Sequence, residues 1–316
     1  MRTHPICNSL AAIACLLAVG LVNAQDYPVR PIRMIVPVVP GSAADMVARI
    51  MAPGMARILE QTIVIENKPG AEHMLAYEYV AKQAPADGYT IATVQSATLA
   101  VLPLTQKNLR FDPLKDLPPF MNVVETVTFF GSAAKVPWRT FPEMVAYAKA
   151  NQGKLNYAYP SAITRFKMEM LFQGLGLDVT PIGYKGLALP SIMNGEVQFG
   201  VVSSANATAA GDRFKVLAVS GAKRQPSFPN VPTFAELGFP QILGGGFSFN
   251  LRAGTPQSVI SKLHGVSAKA IQLSDIKEKF KNADVEIVGD PPEVAMKSLL
   301  EEARMYSDIA RKIGFE

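Results

Sequence analysis

Between residues 32 and 94, short apolar runs alternate with segments of helical periodicity, and this alternation constrains the fold more than any other feature of the chain. Residues 32–38 carry Ile32, Met34, Ile35, Val36 and Val38 in near-continuous apolar order, the pattern of a strand buried on both faces. Residues 43–59 have helical spacing, and 62–66 read as a strand closed by the turn Asn67-Lys68-Pro69-Gly70. Residues 75–83 read as a helix, 85–89 as a turn and 90–94 as the next strand. Strand, helix, strand, helix, strand is the signature of a parallel sheet joined by crossover helices.

The pattern recurs further along. Residues 120–132 read as one long extended stretch. Helices are expected at 142–150, 166–174 and 188–194, with strands at 155–159, 179–184, 197–202 and 215–220. These form a second α/β unit. A proline-rich stretch at 226–240 and the glycine run 244–246 follow, then helices at 256–273, 274–282 and 291–313 with no sheet of their own. Such helices pack back on the first unit, so the chain crosses between the units twice. The expectation is an α/β fold of two lobes: residues 25–124 with 222–316 form lobe 1, and 125–221 form lobe 2. A chain of 316 residues is long enough for two full cores.

The first 24 residues read as an export signal. Arg2 supplies the positive start, residues 6–22 are mostly apolar, and Val22-Asn23-Ala24 has the small-x-small form of a cleavage site. The apolar run is short for a membrane span, and Asn8 and Ser9 interrupt it. Cys15 does not fit a lipoprotein signal, since Ala12-Ile13-Ala14 lacks the usual leucine. Cleavage would remove Cys7 and Cys15 and leave a mature chain without cysteine, which suits a periplasmic protein that relies on its core. Thiol catalysis and cysteine-ligated metals are then excluded. His73 and His264, far apart in sequence, read as packing or surface residues, so neither a metal nor a cofactor is expected. A net charge of +5 without a dense basic run argues against nucleic acid. No G-x-S-x-G, H-E-x-x-H or P-loop pattern occurs, which argues against an enzyme.

Several short segments, in this order, resemble a known family. They are Tyr27-Pro-Val-Arg-Pro-Ile-Arg33, the Pro-x-x-Pro-Gly turn through Gly41 with Asp45, Glu66-Asn67-Lys68-Pro69-Gly70-Ala71 and Asp87-Gly88-Tyr89-Thr90. Tyr184-Lys185-Gly186, Leu217-Ala218-Val219, Pro229-Asn-Val-Pro-Thr233 and Ala253-Gly-Thr-Pro256 complete the set. Together they resemble the extracytoplasmic solute receptors of tripartite tricarboxylate transporters, the Bug or TctC-like proteins. The resemblance implies a type II periplasmic-binding-protein fold that closes a cleft on a small carboxylate. It also implies a receptor, a monomer, that delivers its ligand to membrane transporter subunits. Presenting the ligand to a signalling receptor is a second role that the same fold allows.

Candidate ligand-binding residues fall at three places. The first is the loop after the opening strand, Val38, Val39, Gly41, Ser42, Ala43, Ala44 and Asp45. Ser42-Ala-Ala-Asp45 has the spacing of a capping box in which Ser42 accepts from an early helix N–H and Asp45 reaches back as a brace. Helix N–H groups left over, together with the helix dipole, would favour an anion there. The second is Gln95, Ser96 and Thr98 at the carboxyl end of a strand, where crevices of open α/β sheets lie; their hydroxyls could bind the ligand or cap the next helix. The third lies in the other unit. There Ser161 or Thr164 could present hydroxyls, Arg165 could pair a distal carboxylate or be a solvated helix arginine, and Ser203 and Ser204 follow a strand. The family's glycine-rich turn is shorter here, and Phe166 falls near the position of its histidine. Phe247, after the glycine run, stands near where relatives carry an aromatic ring.

Overall fold

The computed structural model describes residues 27–184, 188–221, 223–240, 242 and 244–313. The expected signal segment, with Cys7 and Cys15, lies outside the described residues, as do Lys185 and Gly186.

Two sheets form two lobes. The first begins with β1 (Ile32–Val36), α1 (Ala43–Leu59), β2 (Ile63–Asn67), α2 (Met74–Glu78), β3 (Thr90–Gln95), α3 (Ser96–Thr105) and β4 (Pro119–Thr126). The chain then enters the second lobe. Its elements are β5 (Phe129–Ala133), α4 (Phe141–Ala150), β6 (Leu155–Tyr159), α5 (Ala162–Gly174), β7 (Val179–Gly183), α6 (Leu189–Asn194), β8 (Phe199–Val202), α7 (Ser204–Ala210) and β9 (Phe214–Val219). It returns as β10 (Gly245–Asn250) and finishes lobe 1 with α8 (Gln257–Ala270), α9 (Ser274–Asn282), β11 (Val285–Asp290) and α10 (Pro292–Ile313). The first sheet has the order β11-β4-β10-β3-β1-β2, and the second β7-β6-β8-β5-β9.

Hydrophobic burial places the helices. β1 is parallel to both β2 and β3, with Met34 opposite Ile65 and Ile91, and α1 packs Val47, Ala48 and Met51 over it. The other face carries α3 and α10, whose Leu99, Leu102, Leu299, Ala303 and Tyr306 share a core with Ile35 and Val94. The last helices share the core of lobe 1, through Leu263 and Val266 of α8, Ile276 and Phe280 of α9 and Leu299 of α10, and between them β11 adds an unexpected edge strand to the same sheet.

The extended stretch expected at 120–132 divides into β4 and β5. Val127 and Thr128 carry the chain from one sheet to the other. The glycine run, for which no strand was expected, leads into a central strand. β10 pairs antiparallel with both β3 and β4, with Phe247 opposite Gln95 and Val124. Close approach explains the glycines. A Cβ on Gly244 would sit 2.2 Å from the Thr126 carbonyl oxygen, and one on Gly245 2.6 Å from Gln95 Nε2. Three more elements escape the periodicity, the first being α3, whose residues 96–105 are apolar on every side. β11 is a sheet edge of mixed polarity, and α7 is built from small residues that carry no apolar stripe.

Candidate functional site

The ladder registers place the cleft. In lobe 1, Thr126 at the end of β4 pairs with Gly245, and Phe247 of the same strand pairs with Gln95, so the carboxyl end of β3 lies at the crossover. In lobe 2, Phe129 at the start of β5 pairs with Val202, the last residue of β8. Both sheets are mixed, and the carboxyl ends of their parallel strands therefore face each other across the two crossing segments, where crevices of open α/β sheets bind ligands.

The β1–α1 loop follows the carboxyl end of β1, on the lobe 1 side of this candidate cleft. Gly41 adopts φ +84°, a conformation that favours glycine. Its N–H donates to Asp45 Oδ2 at 2.9 Å, so Asp45 reaches back as a brace. Arg49 Nε donates to the same oxygen at 2.8 Å, and Asn67 Nδ2 donates to Asp45 Oδ1 and to the Val38 carbonyl, both at 2.9 Å. Asp45 is 2 % exposed. Burial alone would raise its carboxyl pKa, but the bonds from Arg49, Gly41 and Asn67 outweigh it and hold the group below its ordinary value. The expected capping box does not form, because Asp45 reaches past the N-cap Ser42 to Gly41. Ser42 donates its hydroxyl to the Val39 carbonyl at 2.9 Å and makes no side-chain cap. The early N–H groups of α1, at Ala43, Ala44 and Asp45, therefore lack a side-chain partner from the cap at the cleft end of a 17-residue helix. Val39 is exposed and Val38 half-buried against the core beneath α1.

Gln95, Ser96 and Thr98 do not form a loop, because β3 runs directly into α3. Gln95 is the N-cap and makes no side-chain cap bond. Thr98 is buried and donates to Gln95 Oε1 at 3.3 Å, which turns its hydroxyl inward. Ser96 Oγ stands 3.5 Å from where a Cβ of Gly246 would lie, and the glycine run clears space beside it. Phe247 supports the cleft only from behind. Its ring is buried with Ala44, Val47 and Val124 because alternation along β10 turns it into the core under α1.

In lobe 2 the expected hydroxyls and the arginine already have protein partners. Ser161 caps α5, accepting from the Thr164 N–H at 3.5 Å and sharing a bond with its hydroxyl at 3.1 Å. Ser203 caps α7 by accepting from the Asn206 N–H at 3.3 Å. Ser204 donates to Asp284 Oδ2 of lobe 1 at 2.5 Å. Arg165 pairs with Glu169 at 2.7 Å one helical turn on, the arrangement of a solvated helix arginine. Phe166 is fully buried against lobe 1, its ring edge-on to Tyr306 at 5.4 Å.

Asn67, Lys167 and Asp284 join the site without having been expected there. Asn67 stood in the Glu66–Ala71 motif, and its place after a strand was the available signal. Lys167 and Asp284 become visible only once the lobes are docked. Lys167 donates from α5 to the Gly244 carbonyl at 2.8 Å, across the interlobe seam. Burial pushes its pKa down to about 8, against the pull of Glu302 on α10 and Glu125 on β4. A lysine whose folded pKa lies below its unfolded value penalises the folded state at low pH, and the penalty lifts as pH rises from about 8 to about 10.4. Stability should therefore gain a rising contribution over that window. Lys167→Met should remove it, as urea titrations at pH 7.5 and 9.5 would show. An unchanged pH dependence in the variant would assign the titration elsewhere.

A family model described as the tripartite tricarboxylate transporter family receptor matches residues 47–315. A UPF0065 protein of Bordetella pertussis is 33% identical over 325 residues, covering 100% of this chain and 99% of its own. Among solved structures, the periplasmic binding protein BugD superposes with a TM-score of 0.84 at 27% identity, covering 92% of this chain and 99% of its own. MatC from Rhodopseudomonas palustris, solved with bound malate, gives a TM-score of 0.82 at 27% identity, covering 90% and 99%.

Proposed function

This chain belongs to the tripartite tricarboxylate transporter receptor family, and we propose that it is a periplasmic receptor that takes a small organic carboxylate in the interlobe cleft and delivers it to the membrane subunits of such a transporter. The division proposed is lobe 1 at 25–126 with 222–316 and lobe 2 at 127–221, two residues later than the sequence suggested because Glu125 and Thr126 lie in β4. Cleavage after Ala24 would release the mature chain, a monomer that needs no cofactor. No helix among the described residues is long and apolar enough to cross a membrane. The malate bound to MatC supports a dicarboxylate as the first ligand to test.

One observation carries the reading: Ser42 turns to the Val39 carbonyl and leaves the start of α1 without a side-chain cap. Aligned N–H groups and the helix dipole then favour an anion at Ala43 and Ala44, whose small side chains let it reach the main chain. Asp45 is turned away into its own braces and so does not repel it. The start of α3 at Gln95 and Ser96 is likewise without a side-chain cap. In this reading the carboxylate docks first on lobe 1, because the lobe 2 serines are already bonded.

Ala43→Asp tests it. An acid in the first turn suits the helix, so the unliganded melting temperature should stay within a few degrees of wild type. Like charges meeting at the cleft should weaken malate or succinate by at least about tenfold, roughly 1.4 kcal/mol. Calorimetry on both proteins decides. Affinity unchanged by the substitution would place the anion elsewhere, and a wild-type chain stabilised by neutral sugars but by no acid would overturn the ligand class.

A further inference from the structure

Asp284 holds together three parts of the chain that the expected site does not connect. It lies in the turn between α9 and β11, and its neighbour Val285 pairs with Thr126, the last residue of β4. That pairing fixes Asp284 on the lobe 1 side of the crossover. Ser204 opens α7 two residues after Val202, which pairs with Phe129 on the lobe 2 side. The Ser204 hydroxyl donates to Asp284 Oδ2 at 2.5 Å. Ser227, in the segment that returns to lobe 1, donates to the same oxygen at 2.8 Å. One carboxylate oxygen thus spans lobe 1, lobe 2 and the returning crossover.

We propose that Asp284 is a positioning residue that sets the angle between the lobes through Ser204 and Ser227. The backbone geometry favours this role. Asp284 sits at φ +52°, where glycine is less strained, and its N–H donates to the Lys281 carbonyl at 3.1 Å, so the turn is anchored without the side chain. What aspartate adds there is the acceptor. Ser204 is buried and spends its single hydroxyl proton on Asp284, so it acts between the lobes and not as a donor to ligand. Hydrogen bonds weaken steeply outside their narrow distance and angle range, so a swing of lobe 2 about the 126–129 crossover breaks this one early. Holding both walls at one angle preorganises a ligand site made from both lobes. The predicted effect on affinity rests on the receptor function proposed above; the effect on lobe angle does not.

The test uses the full chain with Cys7 and Cys15 replaced by serine and spin labels at Lys149→Cys in lobe 2 and Lys277→Cys in lobe 1. Asp284→Gly removes the carboxylate and suits the left-handed backbone, whereas Asp284→Asn keeps an acceptor. Double electron–electron resonance should give a broader interlobe distance distribution in Asp284→Gly than in wild type, with Asp284→Asn close to wild type. Malate affinity should fall by about tenfold in Asp284→Gly. Ser204→Ala should add nothing in that background, since a shared contact is lost only once. An unchanged distance distribution, or independent and additive effects of Asp284 and Ser204, overturns the proposal. Should Asp284→Gly fail to fold, the Ser204→Ala/Ser227→Ala pair removes the same bonds from the other side and is read in the same way. If wild type binds no carboxylate, the receptor reading fails, while the distance distributions still decide this one.

Discussion

Phe166→Ala is expected to lower the unfolding free energy by about 3–5 kcal/mol, the cost of removing a fully buried aromatic ring. The ring is 0 % exposed and packs edge-on against Tyr306, in a cluster that also holds Ile163, Leu99, Leu102 and Leu299. Ile163 and Phe166 belong to lobe 2 and the other residues to lobe 1. The cavity therefore opens between the lobes, unlike that of Phe172→Ala, whose ring is buried among Phe130, Tyr157 and Phe199 inside lobe 2. Both variants should be destabilised in urea. Only Phe166→Ala should also broaden the interlobe distances. A loss below about 1 kcal/mol would mean that the seam closes over the cavity or is not a core at all.

Asp45→Ala should cost about 1–3 kcal/mol and abolish measurable ligand binding, because the part-buried donors gathered on its buried carboxylate lose their acceptor. The Gly41 N–H loses its acceptor and the Asn67 amide keeps only the Val38 carbonyl, and with those bonds the loop loses its fixed path over the start of α1. Asp45→Asn keeps two acceptor sites and should lose less. The acid limb of stability separates charge from shape. A carboxyl held below its ordinary value contributes stability that is complete above its unfolded pKa, near 3.9, and is lost as pH falls through the folded value. Asp45→Asn should therefore flatten the fall in stability below about pH 4. An acid limb identical to wild type would show that the carboxylate charge is not what braces the loop.

The parallel core was legible because its strands are buried on both faces and therefore read as continuous apolar runs. Met34 and Ile35 sit in the middle of a sheet, and nothing but an apolar residue serves there. β10 was hidden because its first residues are glycines, which by sequence alone suggest no strand. Their reason is the close approach of the Thr126 backbone and the Gln95 side chain, both distant in sequence. The division of 120–132 into two strands was hidden for a similar cause, since Val127 and Thr128 are unremarkable as residues and become a crossover only in space. At the site, the Asp45 brace could be read from local spacing, whereas the turn of Ser42 toward Val39 could not. A serine with two nearby partners does not announce its choice. Arg165 shows the opposite case, for Glu169 four residues on was visible, and that pair is what forms. Lys167 and Asp284 meet their partners across 77 and 80 residues of chain, beyond any local signal.

The place of α10 has a consequence for how the protein is made. Leu299, Ala303 and Tyr306 of this helix complete the core that Ile35, Val94 and Leu99 begin, 200 or more residues earlier, and Ile309 also touches the core of lobe 2. A chain emerging amino end first can finish the second lobe while the first still lacks one wall. Contacts of such long sequence separation form slowly, since loop closure precedes any gain from packing. Until α10 emerges, the early strands have only part of their cover, and that open apolar face is the natural grip of a holding chaperone. Assembly is thus deferred to the last two dozen or so described residues, and the same helix that ends the wait ties the two halves together.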